Sequence, residues 1–256
     1  MSLFRSAIVA TACIAALTGQ PTVAKDRVLA FSLTAGAIAQ PEYFGSDNFR
    51  FGSTARIGFT GLRVGDLQLR DPEGPREFAP GTRLRGALQY IPERDGRDEL
   101  EGLNDLDPSV ELGLGLQHTR ETWQIFGEMR YGFIGHQSVA ADFGANYIFR
   151  AKNGVVLNAG PRINFGNSRF MRNYFGVTDR EAARSDFDTF TPSRAVYSTG
   201  LEIGAYQPIG ADWGITTSLR YDRLRGEATD SPIVQQGSQN QWTAVLGLTK
   251  HFYLRF

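Results

Sequence analysis

From Val28 onward, apolar and polar residues alternate with a period of two in segments of about 10–13 residues, each bounded by turn-forming residues. In the clearest segment Val155, Leu157, Ala159, Pro161, Ile163 and Phe165 share one face, while Asn158, Gly160, Arg162 and Asn164 share the other. Trp213, Ile215, Thr217, Leu219 and Tyr221 oppose Gly214, Thr216, Ser218, Arg220 and Asp222 in the same way. Val110, Leu112, Leu114 and Leu116 oppose Glu111, Gly113, Gly115 and Gln117, and Val139 to Phe149 repeats the pattern against Asp142, Gly144, Asn146 and Arg150. Helical periodicity is absent from the mature chain. The alternation predicts strands near 28–39, 49–58, 61–67, 68–78, 82–91, 109–119, 122–133, 138–150, 154–165, 195–207, 211–224 and 242–256, with irregular spacing between 59 and 82.

An alternating pattern fits either a soluble sandwich with its apolar face inward or a membrane barrel with its apolar face toward lipid. Strands of soluble sheets average about 5–6 residues and bilayer-crossing strands about 9–11, which favours the barrel. Trp123, Trp213 and Trp242 open strands, and Tyr131, Phe133, Tyr147, Phe149, Phe165, Tyr221 and Phe252 lie toward strand ends, where interfacial girdles belong. The fold class expected is therefore all-β: a closed, transmembrane antiparallel β-barrel of about 12 strands, with about 10 as the fallback, since bacterial single-chain barrels have even numbers. That topology places the connections at 119–122, 151–153 and 208–210 on the periplasmic side as short turns, and those at 92–108, 166–194 and 226–241 outside as longer loops. The final strand ends in an aromatic, Phe256, resembling the signal read by the barrel assembly machinery.

Composition narrows the function classes. Lys and Arg total 27 against 27 Asp and Glu, leaving no basic excess for phosphate contacts, so nucleic acid is not an expected partner. No run of about 18 apolar residues follows the N-terminus, which excludes a helical membrane protein. Residues 1–24 read as a signal peptide, with Arg5 before an apolar stretch from Ala7 to Leu17 and Thr22-Val23-Ala24 as the cleavage site, so that residues 25–256 form the barrel domain. The single cysteine, Cys13, falls within this leader, and a disulfide scaffold is excluded.

Arg85, Glu111, Glu128, Arg130, Asp142, Arg150, Arg162, Glu202, Arg220 and Asp222 occupy polar-face positions and are expected to project into the lumen. Charges of both signs in a narrow barrel are expected to pair and plug it, because unpaired charge in a confined, poorly solvated space is costly. The competing arrangement is a pore lined by both signs. His136-Gln137-Ser138 has the His-x-Ser form in which an imidazole activates a hydroxyl, yet it sits in a short loop at polar-face parity with no third orienting residue identifiable. His118 and His251 have no His, Cys or carboxylate at ligand spacing. No catalytic residue, metal site or cofactor is assigned, and the chain is not expected to be an enzyme.

Several loop segments, taken in order, resemble the MltA-interacting protein (MipA)/OmpV family. They are Pro41-Glu42-Tyr43-Phe44-Gly45-Ser46-Asp47, Leu103-Asn104-Asp105-Leu106-Asp107, Asn173-Tyr174-Phe175-Gly176-Val177 with Glu181-Ala182-Ala183-Arg184-Ser185, and Thr229-Asp230-Ser231-Pro232-Ile233-Val234. Their Gly, Pro, Asn and Asp residues set tight turns, and Tyr174 and Phe175 can pack a loop over a barrel mouth. The resemblance implies a cell outer-membrane protein surrounded by lipid and inserted by the assembly machinery. It also implies a scaffolding role that links peptidoglycan-remodelling enzymes, a murein hydrolase and a synthase, to that membrane. The alternatives are a narrow porin or surface adhesin acting through its lumen or external loops and, more remotely, an outer-membrane lipid hydrolase.

Overall fold

The computed structural model describes residues 27–64, 67–69 and 78–256; the leader 1–24 and most of the expected strand 68–78 lie outside them. The strands are β1 (Arg27–Pro41), β2 (Phe49–Val64), β3 (Leu67–Leu69), β4 (Gly81–Ile91), β5 (Ser109–Thr119), β6 (Trp123–Ile134), β7 (Val139–Arg150), β8 (Val156–Gly166), β9 (Ala195–Pro208), β10 (Trp213–Leu224) and β11 (Asn240–Arg255). They form one sheet in the order β3-β2-β1-β11-β10-β9-β8-β7-β6-β5-β4. First and last strands pair antiparallel from Val28↔Arg255 to Ala39↔Ala244, which rolls the sheet into a barrel. At the remaining seam β2 and β4 come within 8 Å of each other between Cα atoms, so the barrel is nearly closed rather than closed.

The strand number also differs from the expected twelve: the described residues hold ten long strands, matching the fallback, and the three-residue β3. The expected strands 49–58 and 61–67 are one continuous strand, β2. Opposite it, Ala30 pairs with Gly61 and Phe31 with Phe59, leaving Thr60 as a one-residue bulge. A bulge exchanges the two faces of a strand, so the apolar positions shift from odd (Phe51, Ile57, Phe59) to even (Leu62, Val64), and the sequence reads as a break. The connection from β2 to β4, which includes β3, is correspondingly longer than a short periplasmic turn.

The oily face points outward. Leu112, Leu114 and Leu116 on β5 are 47%, 68% and 59% exposed while Glu111 on the same strand is 0% exposed, the inverse of a water-soluble sandwich. Rings band both ends of this surface. Phe31 stacks on Phe252 at 5.0 Å at one end, and Tyr221 meets Trp242 at 4.9 Å and Tyr131 meets Phe133 at 5.4 Å at the other. Lys250, the cation that interrupts the apolar face of β11, lays its ammonium over Trp213 at 4.8 Å and Phe252 at 5.2 Å, an interfacial position that keeps its charge close to water.

Short turns at 120–122, 151–155 and 209–212 close one end, while the loops 92–108, 167–194 and 225–239 gather at the other. Asp179 and Asn153 are exposed at opposite ends. A cysteine at Asp179 is expected to react with an impermeant maleimide on intact cells while one at Asn153 is protected; the reverse pattern would invert the sidedness.

Candidate functional site

Paired charges on the inward faces of β4 to β10 form three groups. Arg130, 3% exposed, contacts Glu111 at 2.7 Å, Glu128 at 2.7 Å and Asp142 at 2.8 Å, drawing together β5, β6 and β7. Arg85 of β4 completes Glu128. Arg85 and Arg162 both lie over the Phe126 ring, at 4.4 Å and 5.1 Å from its centre, so guanidiniums from β4 and β8 meet on one inward ring. Arg162 bonds Glu202 of β9 at 2.9 Å, and Arg220 of β10 bonds Asp222 and, at 2.8 Å, Asn164. Nine of the ten charges singled out from the sequence fall in these three groups. The tenth, Arg150, sits apart at the rim opposite the long loops, donating to the carbonyls of Glu121 and Phe78.

Pro161 explains part of this arrangement. Proline has no N–H for the ladder, and the β7–β8 register is interrupted there, between Gly144↔Arg162 and Tyr147↔Ala159. The carbonyl of Ala145 is instead satisfied by Arg162 Nη1 at 3.0 Å. A strand that looked awkward in sequence is thus repaired by its own neighbouring side chain.

Over the lumen the long loops form a cap. They include α1 (Ser168–Phe175), α2 (Asp179–Ala182), α3 (Glu227–Asp230) and α4 (Pro232–Gln235). Asn167 caps α1 by accepting from the Phe170 amide at 2.9 Å, and Thr178 with Glu181 forms a reciprocal capping box on α2. One apolar cluster joins Phe170, Met171, Tyr174 and Phe175 of α1 to Ile91, Tyr197, Leu224, Ala228 and Val234. Phe44 meets the rings of Phe170, Tyr174, Phe175 and Tyr197 at 5.1–5.9 Å. A second cluster holds Leu100, Leu103, Val177 and Ile233, with Tyr43 packed against it.

The loop segments that resembled a family therefore converge on the cap. Ser231 Oγ donates to the Phe175 carbonyl at 2.7 Å, and the Gly45 amide donates to Gln241 Oε1 at 3.2 Å. Gly45 has φ +103°, and a Cβ there would stand 2.7 Å from Val234 Cγ2, so both conformation and space demand glycine. Ser46 is buried beside it, Gly176 ends α1 with its amide on the Arg172 carbonyl, and Pro232 opens α4. Pro41 ends β1, Asp47 is exposed in the following turn, and Asp230 ends α3. Sequence reasoning missed Phe170, Tyr197, Ser109 and Arg94. Arg94 Nη1 reaches the Tyr174 carbonyl at 3.3 Å, yet in sequence it is one charge among many in 93–107.

Glu181 ties two loops together, accepting from the amides of Asn104 and Thr178, both at 2.9 Å. Burial alone would raise its pKa; the hydrogen bonds from Thr178 and Asn104 and the Arg94 charge outweigh burial and hold it below the ordinary carboxylate range.

His136 and Ser138 do have a third partner, contrary to expectation: Ser138 Oγ lies against His136 Nδ1, and His136 Nε2 meets Glu111 Oε1 at 2.9 Å. Glu111 was out of reach of sequence reasoning because β5 is brought beside the turn only by the barrel. The arrangement has the order of a nucleophile, base and orienter. Ser138 is 1% exposed beneath α1, and the Nδ1 lone pair already accepts the backbone amide of Ser138 at 3.0 Å. The base is thus engaged by an amide and the hydroxyl beside it is closed from solvent. His118 instead bonds Thr82 Oγ1 at 2.7 Å, and His251 meets Tyr206 Oη at 3.3 Å. Among the described residues no group of three His, Cys, Asp or Glu side chains is placed to hold a metal.

Residues 33–252 match the family model described as MltA-interacting protein MipA. The chain is 26% identical over 170 residues to the MltA-interacting protein of Escherichia coli (strain K12), covering 64% of this chain and 65% of that protein. It is 28% identical over 174 residues to the outer membrane protein Omp26La of Vibrio anguillarum, covering 67% and 65%. It thus spans slightly less than two thirds of the length of these relatives. Among solved structures it is similar to the outer membrane protein OprG from Pseudomonas aeruginosa, with 12% identity, 88% and 97% coverage and a TM-score of 0.31. It is also similar to the outer membrane channel DcaP of Acinetobacter baumannii, with 10% identity, 92% and 100% coverage and a TM-score of 0.36.

Proposed function

Since this chain belongs to the MltA-interacting protein MipA family, we propose that it is a structural, non-catalytic barrel that docks peptidoglycan-remodelling enzymes at the periplasmic face of the outer membrane. Its location is the outer membrane. The observation that supports the structural reading is the interior: Arg130 is paired with three carboxylates of the inner wall, and the long loops pack an apolar cluster over the same end of the barrel. Interior pairing of this kind weighs against a narrow porin, and the closure over Ser138 weighs against a lipid hydrolase.

The docking role is supported by the name of the relatives, proteins that interact with MltA. At the rim opposite the long loops a cavity of about 500 Å3 is lined by Phe78, Ala79, Pro80, Glu121, Thr122 and Arg150 together with the outward rings of Tyr147 and Phe149, beside turns that are short for an interface of about 800 Å2 per partner. The partners proposed for this rim are a lytic transglycosylase and a synthase. Export by residues 1–24, insertion by the barrel assembly machinery through Phe256 and an annulus of outer-membrane lipid belong to the same reading.

Planar-bilayer recording of the folded mature chain tests the interior, and binding of a murein lytic transglycosylase to the immobilised barrel tests the rim. Electrical silence is expected, together with binding that Phe78→Asp weakens about tenfold, as loss of one apolar anchor would. Steady openings would overturn the plugged structure in favour of the porin, and binding unchanged by Phe78→Asp would remove the rim from the interface.

A further inference from the structure

At the loop end of the outer wall, several strands keep an apolar residue outward to their limit. Phe49 at the start of β2, Tyr90 near the end of β4 and Phe133 near the end of β6 are all exposed there. Strands β9 to β11 differ. Thr199 of β9 pairs with Arg223 of β10, and Arg223 with Asn240 of β11, forming one row across the wall. The outward row below it is Leu201, Tyr221 and Trp242, paired in the same order. Side chains alternate along a strand, so the two rows share the outer face. Within two residues the wall therefore passes from apolar and aromatic to polar and cationic, as it does where acyl chains give way to headgroups.

Two arginines meet on the upper row. Arg225 follows the end of β10, with its amide on the Tyr197 carbonyl at 2.9 Å and its Nε on Thr199 Oγ1 at 3.0 Å. Thr199 is the residue that pairs with Arg223, so one hydroxyl stands between the two side chains. Both arginines are exposed. The carboxylates close to them in sequence are engaged elsewhere: Asp222 holds the inward Arg220, and Glu227 accepts from the amide and hydroxyl of Ser193. Among the described residues no carboxylate is within ion-pair distance of Arg223 or Arg225, whereas Arg85, Arg130, Arg162 and Arg220 inside the barrel each have one.

We propose that Arg223 and Arg225, with Thr199, bind a phosphate-bearing glycolipid of the outer leaflet, a molecule of lipid A chemistry whose acyl chains lie on the wall below. A guanidinium offers two parallel N–H groups to a phosphate, which is why arginine rather than lysine suits such a headgroup. The bond through Arg225 Nε leaves its amino groups to other acceptors. Beneath the pair, Ile163, Leu201 and Ile203 are exposed and supply an apolar track for the chains. Two cations side by side match a sugar headgroup carrying more than one phosphate better than a phospholipid carrying one. The inference rests on the long loops being external and goes beyond the docking role, whose rim lies at the opposite end.

The test uses the folded mature barrel in detergent and native mass spectrometry of its complexes with three probes: bisphosphorylated lipid A, the same lipid with both phosphates removed, and phosphatidylglycerol. One bisphosphorylated lipid A per barrel is expected. Arg223→Gln and Arg225→Gln should each weaken it about fivefold, and the double variant about 25-fold, to the level of the dephosphorylated lipid, as interfacial arginines ordinarily contribute. Arg223→Lys should retain part of the affinity, since it keeps the charge without the fork. Arg97→Gln removes an exposed arginine from the loop 92–108 and should change nothing. Because the altered side chains are exposed, the heat-induced mobility shift should match that of the parent throughout. Equal binding of the dephosphorylated lipid, parental affinity in the double variant, or a loss in Arg97→Gln as large as that in Arg223→Gln would each overturn the site. Phosphatidylglycerol bound as tightly as lipid A through the same arginines would overturn the glycolipid as its occupant.

Discussion

Arg130→Leu is expected to destabilise the barrel by about 3–5 kcal/mol, the usual cost of removing one partner from a buried ion pair. Three carboxylates, Glu111, Glu128 and Asp142, depend on this guanidinium at 2.7–2.8 Å. Glu128 also has a second arginine, Arg85. Leucine fills part of the volume and none of the charge, so Glu111, at 0% exposure, must either protonate or draw water into the lumen. The midpoint of the heat-induced mobility shift of the folded barrel, with urea unfolding in lipid, measures the effect. Arg130→Lys should recover only part of the loss, since an ammonium cannot reproduce the planar fork that reaches three strands. Adding Glu111→Gln to Arg130→Leu should recover part of the loss by removing the most deeply buried stranded charge, while Asp142 still lacks its guanidinium. A midpoint equal to that of the parent would show that the network contributes nothing.

Phe175→Ala should act at the other end of the molecule, with a comparable local cost of about 3–5 kcal/mol for a fully buried ring. Phe175 is 0% exposed between Phe44 and Tyr197, and its carbonyl receives the Ser231 hydroxyl. These contacts belong to the cap, while the strand ladders beneath are continuous without them. The loss should therefore fall on a local unit: rapid proteolysis within 167–194, with the barrel's own heat-induced shift unchanged. Cleavage no faster than in the parent, or collapse of the whole barrel, would show that cap and wall are one cooperative body. The two variants thus separate the stability of the plug from that of the lid.

The cap is also where the sequence was least legible. Loops carry no periodicity, so the resemblance of Tyr43, Gly45, Tyr174, Phe175 and Ser231 to a family flagged these residues without saying what they build. In the structure they are neighbours, and the positive φ of Gly45 beside Val234 shows why one of them has to be glycine. Phe170 and Tyr197 were missed because an aromatic in a connection or at a strand end has no pattern to distinguish it from a girdle residue.

Alternation alone determined that the chain is a β-barrel with its apolar face outward, because a period of two is a property of the backbone and the segments were long enough to cross a bilayer. It also singled out ten charges by parity, of which nine pair with one another in the structure while Arg150 lies apart at the rim. Where parity fails, at the Thr60 bulge, the count failed with it: two expected strands are one. What only the tertiary structure decided is which inward charges meet. Glu111 reaching Arg130 and His136, and Arg162 reaching the carbonyl that Pro161 leaves open, depend on the register between neighbouring strands. That register is set by the pairing of strands throughout the sheet, and no local stretch of sequence contains it.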